Sequence, residues 1–247
     1  YCMEVTESKD NENNEDNLSR LSGLAEPNRR LLYDFIVSQN DYVSREQAAQ
    51  ASGLRKGIAS HHLDRLVQDG LLEVVFKNLP GNNGGKVGRP SKLYKRATNE
   101  IEVSLPSREY KIAAQILAKA VDSTLSRKCT LDEAITDSAH EEGKKIAEQL
   151  RVTIKNEESI DRQIIGGLSQ YGYEPETLDD GVTVLHNCPF HAIAQEHKEL
   201  ICSMNHTMLD SMLKEIDQTK LVAKLEPQAQ HCCVRLYGNC EKIKEKN

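Results

Sequence analysis

Apolar residues recur at helical spacing soon after a polar beginning. In "AEPNRRLLYDFIVSQ", Leu31, Leu32, Phe35 and Ile36 form one stripe, and Pro27 suits a first helical turn. Ser44 with Gln47 three residues on is a capping box, so a second helix starts there and Gly53 turns the chain after it. A third helix runs through "RKGIASHHLDRLVQDG", with Ile58, Leu63, Leu66 and Val67 expected toward the first two, and Gly70 ends it. The pattern then changes to strands, "LLEVVF" and "KLYKRA", joined by "KNLPGNNGGKVGRPSK". Three short helices followed by a hairpin with a basic tip predict a winged helix-turn-helix over residues 21–97. A helical bundle beside an unrelated hairpin is the alternative.

A second unit is expected over 106–237. "PSREYKIAAQILAKAVDSTL" is an amphipathic helix, and helical patterns follow over about 131–150 and 157–171. "YGYEPETLDDGVTVLHN" reads as a hairpin around Asp180 and Gly181, a long helical pattern covers about 189–216, and short strands are expected near 221–225 and 231–237. The fold class is α+β, with the N-terminal winged helix-turn-helix followed by a C-terminal α+β sensor and dimerisation domain. Residues 1–20, Asn- and Glu-rich with almost no aliphatic content, read as a disordered acidic tail, and 238–247 as a polar tail.

Composition narrows the function classes. The 247-residue chain has no Trp, three Phe and a net charge of −6, which alone argues against a nucleic-acid partner. The charge is unevenly placed: residues 1–20 hold six acids against two bases, and residues 55–96 hold nine bases against three acids. Local charge decides phosphate contact, so double-stranded DNA stays the expected partner. No apolar run is long enough to span a membrane, and no export signal is seen. Seven scattered cysteines do not make the dense framework of a small secreted domain, so a reducing cytoplasm with free or metal-bound thiols is expected.

In this motif the third helix enters the major groove by its N-terminal residues, which assigns Arg55, Lys56, Ser60 and His61 to DNA. Lys86, Arg89 and Lys92 carry the wing, with Lys92 and Lys95 suited to phosphates. One winged helix covers one half-site, so a homodimer is expected.

The remaining chemistry is sulfur. "NCPFHAIAQEHKELIC" opens near Cys188 and closes on Cys202, and "HCCVRL" adds Cys232 and Cys233. Thiolates ligate iron–sulfur clusters, and a histidine can replace one. His191, His197, His206 and His231 are nitrogen candidates, with His186 also near in sequence. A regular helix from Pro189 through Cys202 would hold Cys188 and Cys202 about 21 Å apart, so a shared site needs the chain between them to bend. On a strand Cys232 and Cys233 face opposite sides, so one of the pair is expected as a ligand. Cys2, Cys129 and Cys240 are read as packed or exposed thiols, and Met204, Met208 and Met212 as core or dimer surface.

From about residue 24 to 237 the chain resembles the SufR-type regulators, ArsR-like winged-helix repressors of iron–sulfur-cluster assembly operons. The resemblance lies in "GRPSKLYKR", "SREYKIAAQILA", "GYEPE", "NCPFHAIAQEHKELICSMN" and "HCCVRL". It implies a homodimer whose operator binding depends on an iron–sulfur cluster, most often [4Fe–4S]. The ligands it implies are Cys188, Cys202 and one of Cys232 and Cys233. Zinc, or reversible thiol oxidation at the same residues, is the alternative. An enzyme with Cys188 as nucleophile and His191 or His197 as base is a weaker alternative, because no acid partner or oxyanion-hole motif accompanies it. The expectation is therefore a regulator without catalysis.

Overall fold

The computed structural model describes residues 9–77, 90–127, 129–154, 159–227 and 231–238. The protein is mixed α+β with two small antiparallel sheets. It divides into two compact units, one from Asn11 to Val103 and one from Ser104 onward. Among the described residues no helix is long and apolar enough to cross a membrane.

Residues 1–8 of the disordered tail expected over 1–20, with 239–247 of the expected C-terminal tail, lie outside the described residues. From Lys9 onward helix α1 (Lys9–Ser22) takes the place of the expected N-terminal tail and opens the N-terminal unit. Leu21 and Leu24, at and beyond its end, pack against the unit's core. Arg20 donates to Asp69 O at 2.7 Å and to Gly70 O at 3.4 Å. Carbonyls at a helix C-terminus lack intrahelical partners, so this guanidinium satisfies acceptors the fold would otherwise leave open.

Helix α2 (Pro27–Val37) starts on Pro27, and the Glu26 carboxylate accepts from Arg29 N at 2.7 Å. Strand β1 (Val43–Ser44) leads into α3 (Arg45–Ser52), where the Ser44/Gln47 capping box is realised in both directions, at 3.2 and 2.8 Å. Gly53 ends α3 with φ +68°, a left-handed turn that favours glycine. Helix α4 (Lys56–Gln68) and strands β2 (Leu72–Lys77) and β3 (Ser91–Arg96) complete the unit, in a sheet ordered β1-β3-β2. Leu32, Ile36, Ala48, Leu63, Leu66 and Tyr94 are fully buried, and truncating such a leucine to alanine costs about 2–5 kcal/mol. Leu31 of the α2 stripe is 47% exposed, and Ile58, expected to face the first two helices, remains 44% exposed. On α4 it is Ala59, one residue later, that is buried.

The second unit contains α5 (Tyr110–Arg127), α6 (Leu131–Thr153), α7 (Ile160–Gly167), β4 (Pro175–Thr177), β5 (Val182–Leu185), α8 (His191–Glu196), α9 (Lys198–Glu215), β6 (Leu221–Leu225) and β7 (Val234–Gly238). Its sheet is ordered β4-β5-β7-β6, and the hairpin at Asp180 and Gly181 joins β4 to β5. Helix α9 packs on α6 on one side and on β6 and β7 on the other, so Met204, Met208 and Met212 are core. The α6–α9 crossing is close at Gly143, where an added Cβ would stand 2.3 Å from Met208 O.

The helical pattern over 189–216 is not one helix. His197 adopts φ −126°, ψ 53° and divides α8 from α9. Cys188 lies before the turn that starts α8. Strand β7 begins at Val234, later than the expected 231, so Cys232 and Cys233 precede it and both are buried. The alternation expected of a strand therefore does not separate them.

Candidate functional site

The cysteine site is built from three segments. Asn187 anchors the loop after β5: its Nδ2 donates to Gly172 O at 2.6 Å and Ser107 O at 2.9 Å. Arg108 Nη1 donates to Asn187 Oδ1 and to Cys188 O, the latter at 3.2 Å. Opposite this loop, Cys232 N donates to Leu185 O at 2.9 Å, which ties the approach to β7 to the end of β5. The Cys188 and Cys232 side chains lie close enough for each to perturb the other's titration.

Helix α9 supplies the third wall. Asn205 is fully buried; its Nδ2 donates to Cys232 Sγ at 3.2 Å, and its Oδ1 accepts from Tyr173 OH. Cys202 lies one turn before Asn205 on the same helix and is buried in the same core. Among the described residues no three His, Cys, Asp or Glu side chains are arranged as a metal-binding group.

The electrostatics keep the Cys188 and Cys232 thiols protonated. The hydrogen bond with Cys232 raises the Cys188 thiol far above its ordinary range, burial adds to this, and Arg108 offsets part of it. For Cys232 the hydrogen bond from Cys188 lowers the value, but Cys233 and burial outweigh it and push the thiol up to about 12. Burial likewise raises Tyr173, and the neighbouring Cys232, Cys188 and Cys233 add to it. Forming a thiolate here needs a compensating positive charge, which a bound metal centre provides.

Four histidines were nitrogen candidates. His191 is exposed and pairs with Gln195 at 2.9 Å, and His197 is exposed at the break between α8 and α9. His206 Nε2 meets Ala223 O at 3.2 Å. His231, next to Cys232, has a buried Nδ1 with no hydrogen-bond partner, and its ring stacks edge-on to His186 at 4.8 Å. A buried orphan nitrogen is costly, so a ligand at that atom would relieve the penalty. Thiols and an imidazole nitrogen are the donor types a thiophilic metal group takes, but among the described residues no three of them are arranged as one binding group. No hydrogen bond among the described residues joins Cys188 to His191, whose ring pairs with Gln195 instead.

The basic region lies in the N-terminal unit. Arg55 is the N-cap of α4 and Lys56 its first residue; both are exposed and neither forms an ion pair among the described residues. His61 is exposed one turn on. Ser60 Oγ accepts from Arg45 Nη1 at 3.3 Å, which brings Arg45 of α3 to the same face. Lys92 is paired, at 2.6 Å, with Asp64 of α4, which also accepts from Tyr94 OH at 3.2 Å. Lys77 and Lys95 both lie over the Tyr42 ring, at 5.0 and 5.4 Å. Lys86 and Arg89 lie outside the described residues, as do Cys2 and Cys240.

Sequence reasoning missed Tyr173, Asn205, Asn187 and Arg108 at the cysteine site and Arg45 at the basic face. The asparagines carried one weak signal, a polar residue inside an apolar neighbourhood: Asn187 leads directly into Cys188, and Asn205 sits between Met204 and Met208. Comparison with models of known protein families, with curated proteins and with solved structures finds no significant match to this chain.

Proposed function

We propose that this protein is a homodimeric, DNA-binding transcriptional repressor of the SufR type, acting in the cytoplasm and controlled through its cysteine site. On this reading the unit Asn11–Val103 is a winged helix-turn-helix, with α4 entering the major groove and the β2–β3 hairpin as the wing. The observation that carries it is the start of α4, where Arg55 and Lys56 stand exposed without ion-pair partners among the described residues. Free cations gain most from phosphate or guanine contact, because no internal pair must be broken first.

In the second unit Cys188, Cys202 and Cys232 would hold an iron–sulfur cluster, most simply [4Fe–4S], with His231 as a nitrogen donor and Cys233 as the alternative third thiol. Such a cluster, when bound, supplies sensitivity to iron supply and oxidants. The chain's own residues position the donors: Asn205 holds Cys232, while Arg108 and Asn187 hold the loop of Cys188. Cluster state alters DNA binding provided the cluster binds two dimer arrangements unequally.

A second reading, thiol-redox control, is favoured by the proximity of the two free thiols Cys188 and Cys232, each of which perturbs the other's titration. A peroxide could take two electrons and two protons from this pair, leaving a disulfide and water. Anaerobic purification followed by iron, sulfide and zinc analysis and a visible spectrum separates the readings. Iron and sulfide with a broad visible band support the cluster. Colourless protein with zinc supports a zinc sensor, and metal-free protein that forms a Cys188–Cys232 disulfide supports redox control.

A further inference from the structure

The first turn of α4 carries two features that the fold itself does not use. Gly57 is exposed and helical, and a Cβ added there would meet nothing within 4 Å. Neither backbone conformation nor packing calls for glycine at that place, and glycine weakens a helix relative to alanine. Open space alone carries no meaning, since Gly166 on α7 has it too. The neighbours of Gly57 differ. Ile58 beside it is 44% exposed, a branched apolar side chain on the outer surface of the unit. Arg55 and Lys56 precede it, both exposed and unpaired among the described residues.

The rest of α4 shows the contrast. Arg65 pairs with Asp69 at 3.0 Å, and Asp64 pairs with Lys92 at 2.6 Å. Farther along, charge is therefore neutralised within the unit. At the start it is left open, next to a missing side chain and an exposed isoleucine. Of the base pairs in the major groove, those containing thymine present an apolar group, the 5-methyl.

We propose that the Gly57–Ile58 step reads a thymine: Gly57 lets the α4 backbone come close to the base edges, and Ile58 packs on the thymine 5-methyl group. This rests on the DNA-binding reading above. Arg55 and Lys56 hold the helix in register beside it.

The test uses the full-length chain and a duplex selected by it from a randomised pool. Each thymine of that duplex is replaced singly by deoxyuridine, which removes the 5-methyl and nothing else. Wild-type protein is expected to lose about fourfold in affinity at one thymine per half-site, the worth of one buried methyl. Ile58→Ala is expected to bind parent and substituted duplexes equally. Gly57→Ala is expected to weaken binding to both while its Tm stays level or rises, because the free protein has room for the methyl. If wild-type affinity is the same on every deoxyuridine duplex, the thymine contact is refuted while DNA binding stands. If Gly57→Ala binds as wild type, the close approach is refuted. If no duplex is selected at all, the DNA-binding reading fails and this inference with it.

Discussion

The two units treat their polar side chains in opposite ways. From Asn11 to Val103 the polar groups assigned to the proposed function face outward, as Arg55, Lys56 and His61 do, over a core of Leu32, Ile36, Leu63 and Leu66. From Ser104 onward they are enclosed: Asn205, Tyr173, Cys188, Cys232 and Cys233 are all buried. A surface of free cations is suited to a large, solvated, anionic partner that docks from outside. A buried set of thiols and amides is suited to a small group held within the chain. Damage to the first should therefore show in binding, and damage to the second in stability.

Among the buried polar side chains the largest stability effect is expected at Asn205. Replacing it with alanine leaves both Tyr173 OH and Cys232 Sγ without their partner inside the core. An unsatisfied buried group costs roughly 1–3 kcal/mol, so a loss of about 2–4 kcal/mol in urea unfolding is expected. A loss below about 0.5 kcal/mol would show that the buried network is not structural.

Arg55 and Lys56 sharpen the other side. Replacing both with alanine is expected to change unfolding free energy by less than about 0.5 kcal/mol. The same variant should weaken DNA binding by about 1–3 kcal/mol per contact and flatten its salt dependence by about two units. Destabilisation without a binding change would invert the comparison between the units.

Tyr94 gives a pH-dependent check on the outward-facing unit. Burial, reinforced by the Asp64 carboxylate, raises its hydroxyl from 10.0 to about 12. The folded form holds its proton longer than the unfolded chain does. Its contribution is therefore complete below pH 10 and is lost as pH rises toward about 12. Wild type is expected to lose on the order of 2 kcal/mol across that window, and Tyr94→Phe to lose less. An identical alkaline slope in both proteins would place the titration elsewhere. The smallest effect is expected at Lys92: its ammonium is held by Asp64 at 2.6 Å, so Lys92→Ala should weaken DNA binding less than Arg55→Ala, as read by the same titration.

This comparison also explains what was legible in the sequence. Local signals were reliable in the first unit because the chemistry is local: Ser44 caps with Gln47 three residues on, and Gly53 sits where a left-handed turn is needed. Ile58 was misplaced because periodicity counts a large apolar residue as core, while the helix buries the smaller Ala59. In the second unit the site is assembled from residues far apart in the chain. Tyr173 with Asn205, Asn205 with Cys232, and Arg108 with Asn187 are pairings that no spacing rule announces. A site shared by Cys188 and Cys202 needs a bend between them, and the helical pattern does break, at His197, which is neither proline nor glycine. Helix α1 was lost for a similar reason: its polar composition hides the contacts that Arg20 makes at the end of α4.

The central claim is that the buried cysteine site governs what the exposed basic face binds. The most direct test titrates one selected duplex with full-length protein in three states: as isolated without air, stripped of metal, and oxidised by peroxide. Cys188→Ser is carried alongside. Control through the cysteines predicts that wild-type affinity changes between at least two of these states by fivefold or more, at about 1 kcal/mol of coupling, and that Cys188→Ser does not respond. Equal affinity in all three states, with the variant indistinguishable from wild type, would contradict the claim.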